Sequence, residues 1–494
     1  MNSPALIPFK SIIHLDKKSK TPIYLQLAQQ FINLIQRGIL LPGTKLLGTR
    51  KLSEVLEVHR QTIIATYEEL ELQGWLKSVP NKGTFVIEDL NEMKVNKPLI
   101  KIENLDHYPN NTGYKFKQSS IIDNPYQHNN CILNFTDGTP DIRLSAINDL
   151  GNMYSASIKR KQTQQKMAHH NHDERIYFKK QLCNYLNLTR GLRINTNNLL
   201  ITRSTEMSLY LISQLILESN HLVLVAELGF FTANMIFQNA GAKIKTIPVD
   251  EEGICVEYIK EHFKPNEIRM IYITPHYHYP TTVTLSVNRR LELMKLASEY
   301  HFVIIEDDYD FEFEYESSAI LPLASSDVNG MVIYIGTFGK SLAPGFRTGF
   351  IVAPENLLFE LKKYLGIIDR QGDVVMEQVL GEMIDEGTIF RHLKKSLKTY
   401  KNRRDLFCNL LEEHFNNDVI YKKPNGGLAV WMNFNKNISL LKLSDNCKKD
   451  GLFIPQTLLY QNKQHCAIRI GFGHLNEQEI EQSITILNEN YHKL

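Results

Sequence analysis

Between Thr21 and Gly38 the apolar positions Leu27, Phe31, Leu34 and Ile35 recur at the spacing that lines one face of an α-helix. Thr21 and Pro22 fit an N-cap followed by proline at the first helical position, and Gly38 fits a stop. A Pro42-Gly43 turn leads to a second, short helix capped by Thr49 and carrying Arg50, Leu52, Val55 and Leu56. Glu57 and Val58 leave room only for a tight connection to a third helix, His59 to Gln73, whose Ile63, Tyr67 and Leu70 share a face and which Gly74 ends. Two short strands follow, Trp75 to Val79 and Thr84 to Val86, joined by Pro80-Asn81-Lys82-Gly83. Three helices and a hairpin in this order predict a mostly α winged helix-turn-helix over residues 18–87.

The pattern then changes. Residues 88–131 are rich in Asn, Lys and Asp with scattered prolines and no sustained period, so they read as a linker. From residue 132 to 494 helical patterns (Tyr177 to Leu188, Glu206 to Leu217, Val287 to Tyr300) alternate with short apolar runs (Leu222 to Ala226, Met270 to Ile273, Val303 to Ile305, Val332 to Ile335). That alternation predicts an α/β domain with a largely parallel sheet, followed after about Val374 by a smaller α+β subdomain. No internal repeat is present.

Charge refines the picture. A formal net charge of +2 excludes a chain that coats nucleic acid along its length, so any DNA contact must be local. The start of the third predicted helix is such a locality. His59, Arg60, Gln61 and Thr62 sit where a recognition helix meets base edges, while Arg50, Lys51 and Lys82 suit phosphates. The partner expected is double-stranded DNA carrying an operator. Six cysteines without a CxxC pair read as reduced thiols in a cytoplasmic protein rather than as disulfides or a zinc site. His169, His170 and His172 lie in a polar stretch without fixed secondary structure, so no metal site is expected. The N-terminus lacks the layout of a secretion signal, and no apolar run is long enough to cross a bilayer.

The chemistry concentrates in two runs, VIIEDDYDFEFEY from Val303 and IYIGTFGKSLAPGFRTGF from Ile333. An amine that holds an aldehyde cofactor needs a nearby carboxylate to keep that cofactor's ring nitrogen protonated, and pyridoxal phosphate is the cofactor that asks for both. Lys340 is the candidate Schiff-base amine and Asp307 the partner of the pyridine nitrogen. Tyr309, two residues on and therefore on the same face of an extended segment, would donate to the phenolic oxygen. Thr337 and Arg347 supply a hydroxyl and a guanidinium suited to a phosphate. Any one of these alone would be an ordinary surface group; their joint occurrence carries the reading.

These runs resemble those of fold-type I aminotransferases, and EDDYD with GTFGKSLAPGFR looks like the MocR, or GabR-like, subfamily of GntR transcription regulators. The stretch from ILLPGTKLLGTRKLSEVLEVHRQTIIATYEELELQGWL to KGTFV is similar to the GntR DNA-binding domain, departing at Leu47-Gly48 and His59. The resemblance implies further cofactor contacts at Ser204 and Thr205 in ITRSTEMSL, at Phe230 in ELGFF and at Tyr279 in TPHYHYPTT. It also implies that Arg469 in AIRIGFG captures an effector carboxylate and that His169 occupies a position that reaches a partner subunit's phosphate. Ser204 stands in place of a glycine, Phe230 in place of a tyrosine, and Tyr277 to Thr282 in place of H-Q-x-P-x-G. These departures bear on turnover more than on cofactor binding. The function implied is a homodimeric transcription regulator that senses an amino acid, a small amine or a B6 vitamer. An active aminotransferase with a DNA-binding extension, and a scaffold that has lost its cofactor, are the alternatives.

Overall fold

The computed structural model describes residues 8–16, 19, 21–80, 82–87, 110–124, 127–168, 176–316, 320–338, 340, 346–370 and 372–494. The chain divides into two compact units, Met1–Phe116 and Lys117–Leu494. In the first, α1 (Phe9–Ile12), α2 (Ile23–Gln36), α3 (Thr49–Leu56) and α4 (Arg60–Leu72) precede a hairpin of β1 (Leu76–Val79) and β2 (Gly83–Val86) paired antiparallel. Lys45 adds a bridge to Phe85, which gives the hairpin a third edge. Phe31, Leu52, Ile63, Leu70 and Leu76 are buried in one core, and each fully buried leucine contributes ~1.5–3 kcal/mol. Tyr67 packs edge-on against Phe31 and donates its hydroxyl to the Leu47 carbonyl at 2.8 Å.

Two helix starts differ from the sequence expectation. Pro22 is itself the N-cap of α2, with ψ of 140°, so the helix opens at Ile23 rather than at the proline. Gly48 precedes α3 without a side-chain cap, and Thr49 is the first helical residue, where its Oγ1 accepts from Arg60 Nε at 3.4 Å. The tight α3–α4 connection is made by Glu57 in the left-handed region at φ +53°. α1 carried no sequence signal that was read; it contributes Phe9 and, just beyond it, Ile13 to the core.

In the second unit a seven-stranded sheet is built from β3 (Leu199–Thr202), β4 (Leu222–Ala226), β5 (Lys243–Ile247), β6 (Ile268–Ile273), β7 (Val303–Asp308), β8 (Val332–Thr337) and β9 (Gly349–Val352). Their spatial order is β3-β9-β8-β7-β6-β4-β5. β9 runs antiparallel to both neighbours, and the other pairings are parallel. Apolar clusters lie on both faces, as expected of a sheet covered by helices on each side. β7 extends three residues beyond the apolar run that announced it, because its final acids pair in register with Tyr334, Ile335 and Gly336 of β8.

A 28-residue helix, Thr388–Phe415, leads into a smaller antiparallel sheet of β10 (Val419–Tyr421), β11 (Ala429–Phe434), β12 (Leu459–Gln461) and β13 (Cys466–Gly471), ordered β10-β11-β13-β12. The segment after β7 is stitched to the loop before β11. Tyr315 N donates to the Asn425 carbonyl (3.0 Å), Gly427 N to the Phe313 carbonyl (2.7 Å), and the Tyr315 hydroxyl to the Gly427 carbonyl (2.6 Å). A Cβ at Gly426 would overlap the Tyr277 hydroxyl and the Phe313 carbonyl, so only glycine permits this approach. Residues 88–109, and with them half of the expected linker, lie outside the described residues, as do His169, His170 and His172.

Candidate functional site

Alternation along β7 sorts its three acids. Glu306 and Asp308 point to one face: Glu306 accepts from the Leu323 and Ala324 amides at 2.9 and 3.0 Å, and Asp308 Oδ2 accepts from the Tyr334 hydroxyl at 2.7 Å. Asp307 points to the other, where the Tyr272 hydroxyl of β6 donates to its Oδ2 at 2.7 Å. Its second oxygen, Oδ1, is buried and has no hydrogen-bond partner.

Asp307 lines a cavity of about 160 Å³. Thr205, Phe230, Tyr279, Asp307, Tyr309, Thr337 and Lys340 all line it, so seven residues singled out in the sequence converge from five separate segments of the chain. Asp137, Glu206, Tyr272 and Thr274 complete the wall. The helix Thr205–Ile216 opens at the cavity, and Ser204 serves it as N-cap, its hydroxyl accepting from Met207 N at 3.2 Å. Helix N-termini present unpaired amides and positive potential, the surroundings a phosphate requires. Phe230 and Tyr279 meet edge-on with ring centroids 5.6 Å apart.

Lys340 Nζ stands 2.9 Å from Asp310 Oδ1 and 4.5 Å from the Tyr309 ring centroid. Its ionic partner is therefore Asp310, which spacing alone did not single out. The Tyr309 hydroxyl, expected to donate to the cofactor's phenolic oxygen, donates instead to the Tyr277 carbonyl at 2.8 Å. Ser204 and Arg347 are not brought to the cavity. Both line a neighbouring groove, and the Arg347 side chain is 69% exposed with Nη2 4.0 Å from Glu206. Arg469, on β13, is buried, and three of its five N–H groups are engaged by the chain. Nε donates to the Asp137 carbonyl (2.9 Å), Nη1 to the Pro280 carbonyl (2.8 Å) and Nη2 to the Tyr309 hydroxyl oxygen (3.4 Å). The Tyr279 ring covers its face at 4.7 Å.

Burial dominates the titration of this strand. It pushes the Asp307 carboxyl up to about 7 against the hydrogen bond from Tyr272, and pushes Glu306 to about 7 and Asp308 to about 6. Asp310 is also raised by burial, with Lys340 and Arg469 acting in the opposite sense. An unsatisfied, buried carboxylate oxygen of this kind is costly unless a ligand completes it. A protonated ring nitrogen would do so.

At the N-terminal unit, Arg50, His59, Arg60, Gln61 and Lys82 are exposed, and Thr62 is half-buried in the first turn of α4. His59 is the N-cap of α4: its Nδ1 accepts from Gln61 N at 3.3 Å, so part of its hydrogen-bonding capacity is used locally. Among the described residues no helix is long and apolar enough to cross a membrane, and no group of three or more His, Cys, Asp or Glu side chains is placed to hold a metal.

Residues 146–487 match the family Aminotransferase class I and II, and residues 23–86 match the bacterial regulatory proteins of the gntR family. The chain belongs to the aminotransferase class I and II family. With its gntR-type winged helix it has the composition of a MocR/GabR-like, pyridoxal-phosphate-dependent transcription regulator. It is 26% identical over 481 residues to the uncharacterized HTH-type transcriptional regulator YdeL of Bacillus subtilis, covering 95% of this chain and 97% of that one. It is 24% identical over 434 residues to the probable rhizopine catabolism regulatory protein MocR of Rhizobium meliloti, covering 85% and 84%. Among solved structures, the kynurenine aminotransferase of Pyrococcus horikoshii superposes with a TM-score of 0.66 at 25% identity, covering 74% of this chain and 91% of that one.

Proposed function

We propose that this protein reads paired DNA half-sites as a homodimer in the cytoplasm and that an amine or amino acid entering its pyridoxal phosphate site changes its grip on DNA. Residues 18–87 are the DNA-reading module, 88–131 the linker and 132–494 the effector domain. The observation that carries the reading is the buried, unpartnered Oδ1 of Asp307, a residue that lines the same cavity as Lys340.

Pyridoxal phosphate, when bound, supplies an aldehyde that condenses with primary amines and a ring that withdraws electrons. This chain's residues do the rest. Lys340 would hold the cofactor covalently, which requires its ammonium to give up a proton, and Asp310 at 2.9 Å is the adjacent carboxylate that stabilises the charged form until then. Asp307 Oδ1 would accept from the ring nitrogen while Tyr272 fixes its other oxygen. Thr205, Thr337 and the amides at the start of the helix Thr205–Ile216 would face the phosphate, and Phe230 and Tyr279 would contact the ring. An effector regulates only if it binds two arrangements of the protein unequally; a tenfold change in DNA affinity needs about 1.4 kcal/mol of such coupling. Arg60 and Gln61 would meet base edges, and Arg50 and Lys82 phosphates.

Two measurements test this. Reduction with borohydride after loading with pyridoxal phosphate should fix the label on Lys340 and on no other lysine. Selection of duplexes from a random pool should return sequences with two related half-sites; a single half-site, or no enrichment, would refute the dimeric DNA reader.

A further inference from the structure

We infer that Asp310 is a positioning residue: it receives Lys340 when an amine takes the place of Lys340 on the cofactor, and so favours the ligand-bound state while denying the site a base. The inference deepens the cofactor-binding reading above and rests on it. Lys340 Nζ lies 2.9 Å from Asp310 Oδ1 and 4.5 Å from the Tyr309 ring centroid, a carboxylate and an aromatic face that both favour a charged amine. Asp310 is 2% exposed, and apart from this ion pair no described residue donates a hydrogen bond to either of its oxygens. A buried carboxylate so placed depends on its cation. It is also held still. The Asp310 carbonyl accepts from Phe313 N at 3.0 Å, the Phe313 carbonyl accepts from Gly427 N at 2.7 Å, and Oδ2 lies against Gly427, where an added Cβ would come within 3.3 Å of it. Asp310 thus sits between the lysine and the turn that precedes β11.

The exchange balances without a further reactant. An incoming ammonium forms the C=N bond to the cofactor carbon and keeps one proton; the C=N bond to Lys340 breaks, and the two displaced protons pass to Lys340, which leaves as an ammonium. While Lys340 is bonded to the cofactor, Asp310 is a buried carboxyl without its cation. Release of Lys340 restores the pair, so the acid pulls the exchange toward the ligand-bound state. The same pair ties up the electron pair with which Lys340 would take a proton from the ligand's carbon, so the ligand is held and not turned over.

The test compares the full-length protein with Asp310→Asn, which keeps the shape of the side chain and removes its charge. In the cofactor-free proteins at about pH 8, trace labelling with acetic anhydride, read by mass spectrometry at Lys340 relative to the exposed Lys363, should rise about tenfold or more in the variant, because only an uncharged amine attacks the anhydride. After loading with pyridoxal phosphate, L-alanine in heavy water should acquire deuterium at its α-carbon about tenfold or more faster with the variant than with the parent. Lost packing would slow that exchange, so a gain separates a freed Lys340 from damage. Equal or slower labelling, or equal or slower deuteration, overturns the inference. So does conversion of the cofactor to its amine form when L-alanine is added to the unsubstituted protein, a result that does not depend on the variant folding. Visible absorbance and borohydride fixation on Lys340, recorded before alanine is added, report on the cofactor-binding reading itself, so its failure is distinguishable.

Discussion

Arg60 stands at the open end of α4 in contact with water, whereas Asp307 stands at the end of β7 with 4% of its surface exposed. We propose both as ligand contacts. The arginine gives up little while it waits, since among the described residues its side chain makes one long hydrogen bond, 3.4 Å to Thr49. The aspartate waits with one oxygen unsatisfied in a buried place, next to two further acids that burial also raises. DNA recognition in this chain is therefore inexpensive in stability, and cofactor recognition is not.

The largest effect expected is at Lys340. Lys340→Ala should abolish borohydride-stable attachment altogether while the isolated affinity for selected duplex in the absence of cofactor is retained; a label recovered on another lysine would break the assignment. Asp307→Asn should part the two costs: it should weaken cofactor binding by about 1.5–3 kcal/mol, the worth of a hydrogen bond to a charged group, yet raise the melting temperature of the cofactor-free protein near pH 8. A variant less stable than the parent at that pH would mean that the buried carboxylate is a net stabiliser after all.

At the DNA end, Arg60→Ala should cost about 1–3 kcal/mol at one base position and little elsewhere, with stability unchanged within roughly 0.5 kcal/mol. Lys82→Ala should weaken all duplexes alike and reduce the salt slope by about one. Uniform losses from both would remove the distinction between reading and holding. A separate readout is pH. Glu306, Asp307 and Asp308 bind more protons folded than unfolded, so their contribution is complete below about pH 4 and lost as pH rises through about 6 to 7. Glu479, held at about 2 chiefly by its hydrogen bond from Arg143, acts in the opposite sense and matters only in stronger acid. Thermal stability of the cofactor-free protein should decline between about pH 5 and about pH 8, less so for Asp307→Asn; a rise over that interval would contradict the burial argument.

How much of this was legible beforehand follows from what each feature depends on. The order of helices and hairpin in the small unit, and strands such as Leu222 to Ala226, were readable because they are local periodicities. The meeting of Asp307, Tyr309, Thr337 and Lys340 was readable because each follows or flanks an apolar strand. Contacts set by register between distant segments left no local trace. Tyr272 reaches Asp307 only because β6 lies beside β7, and Arg469 is covered only because the Asp137 and Pro280 carbonyls arrive at the same point. The antiparallel placement of β9 is likewise a property of the whole sheet. Glu206 could have been noticed, since it occupies the first turn of a helix proposed to face a phosphate, where a carboxylate competes with the ligand.

The stitch between residues 313–315 and 425–427 bears on how such a chain can drift. Gly426 takes part in no proposed chemistry, yet any side chain there must displace both a tyrosine hydroxyl and a backbone carbonyl. In a saturation library scored for regulation, this position should be as barren as that of the lysine. Viable change on either side of the stitch should arise in matched steps, because the two segments inherit one another's shape.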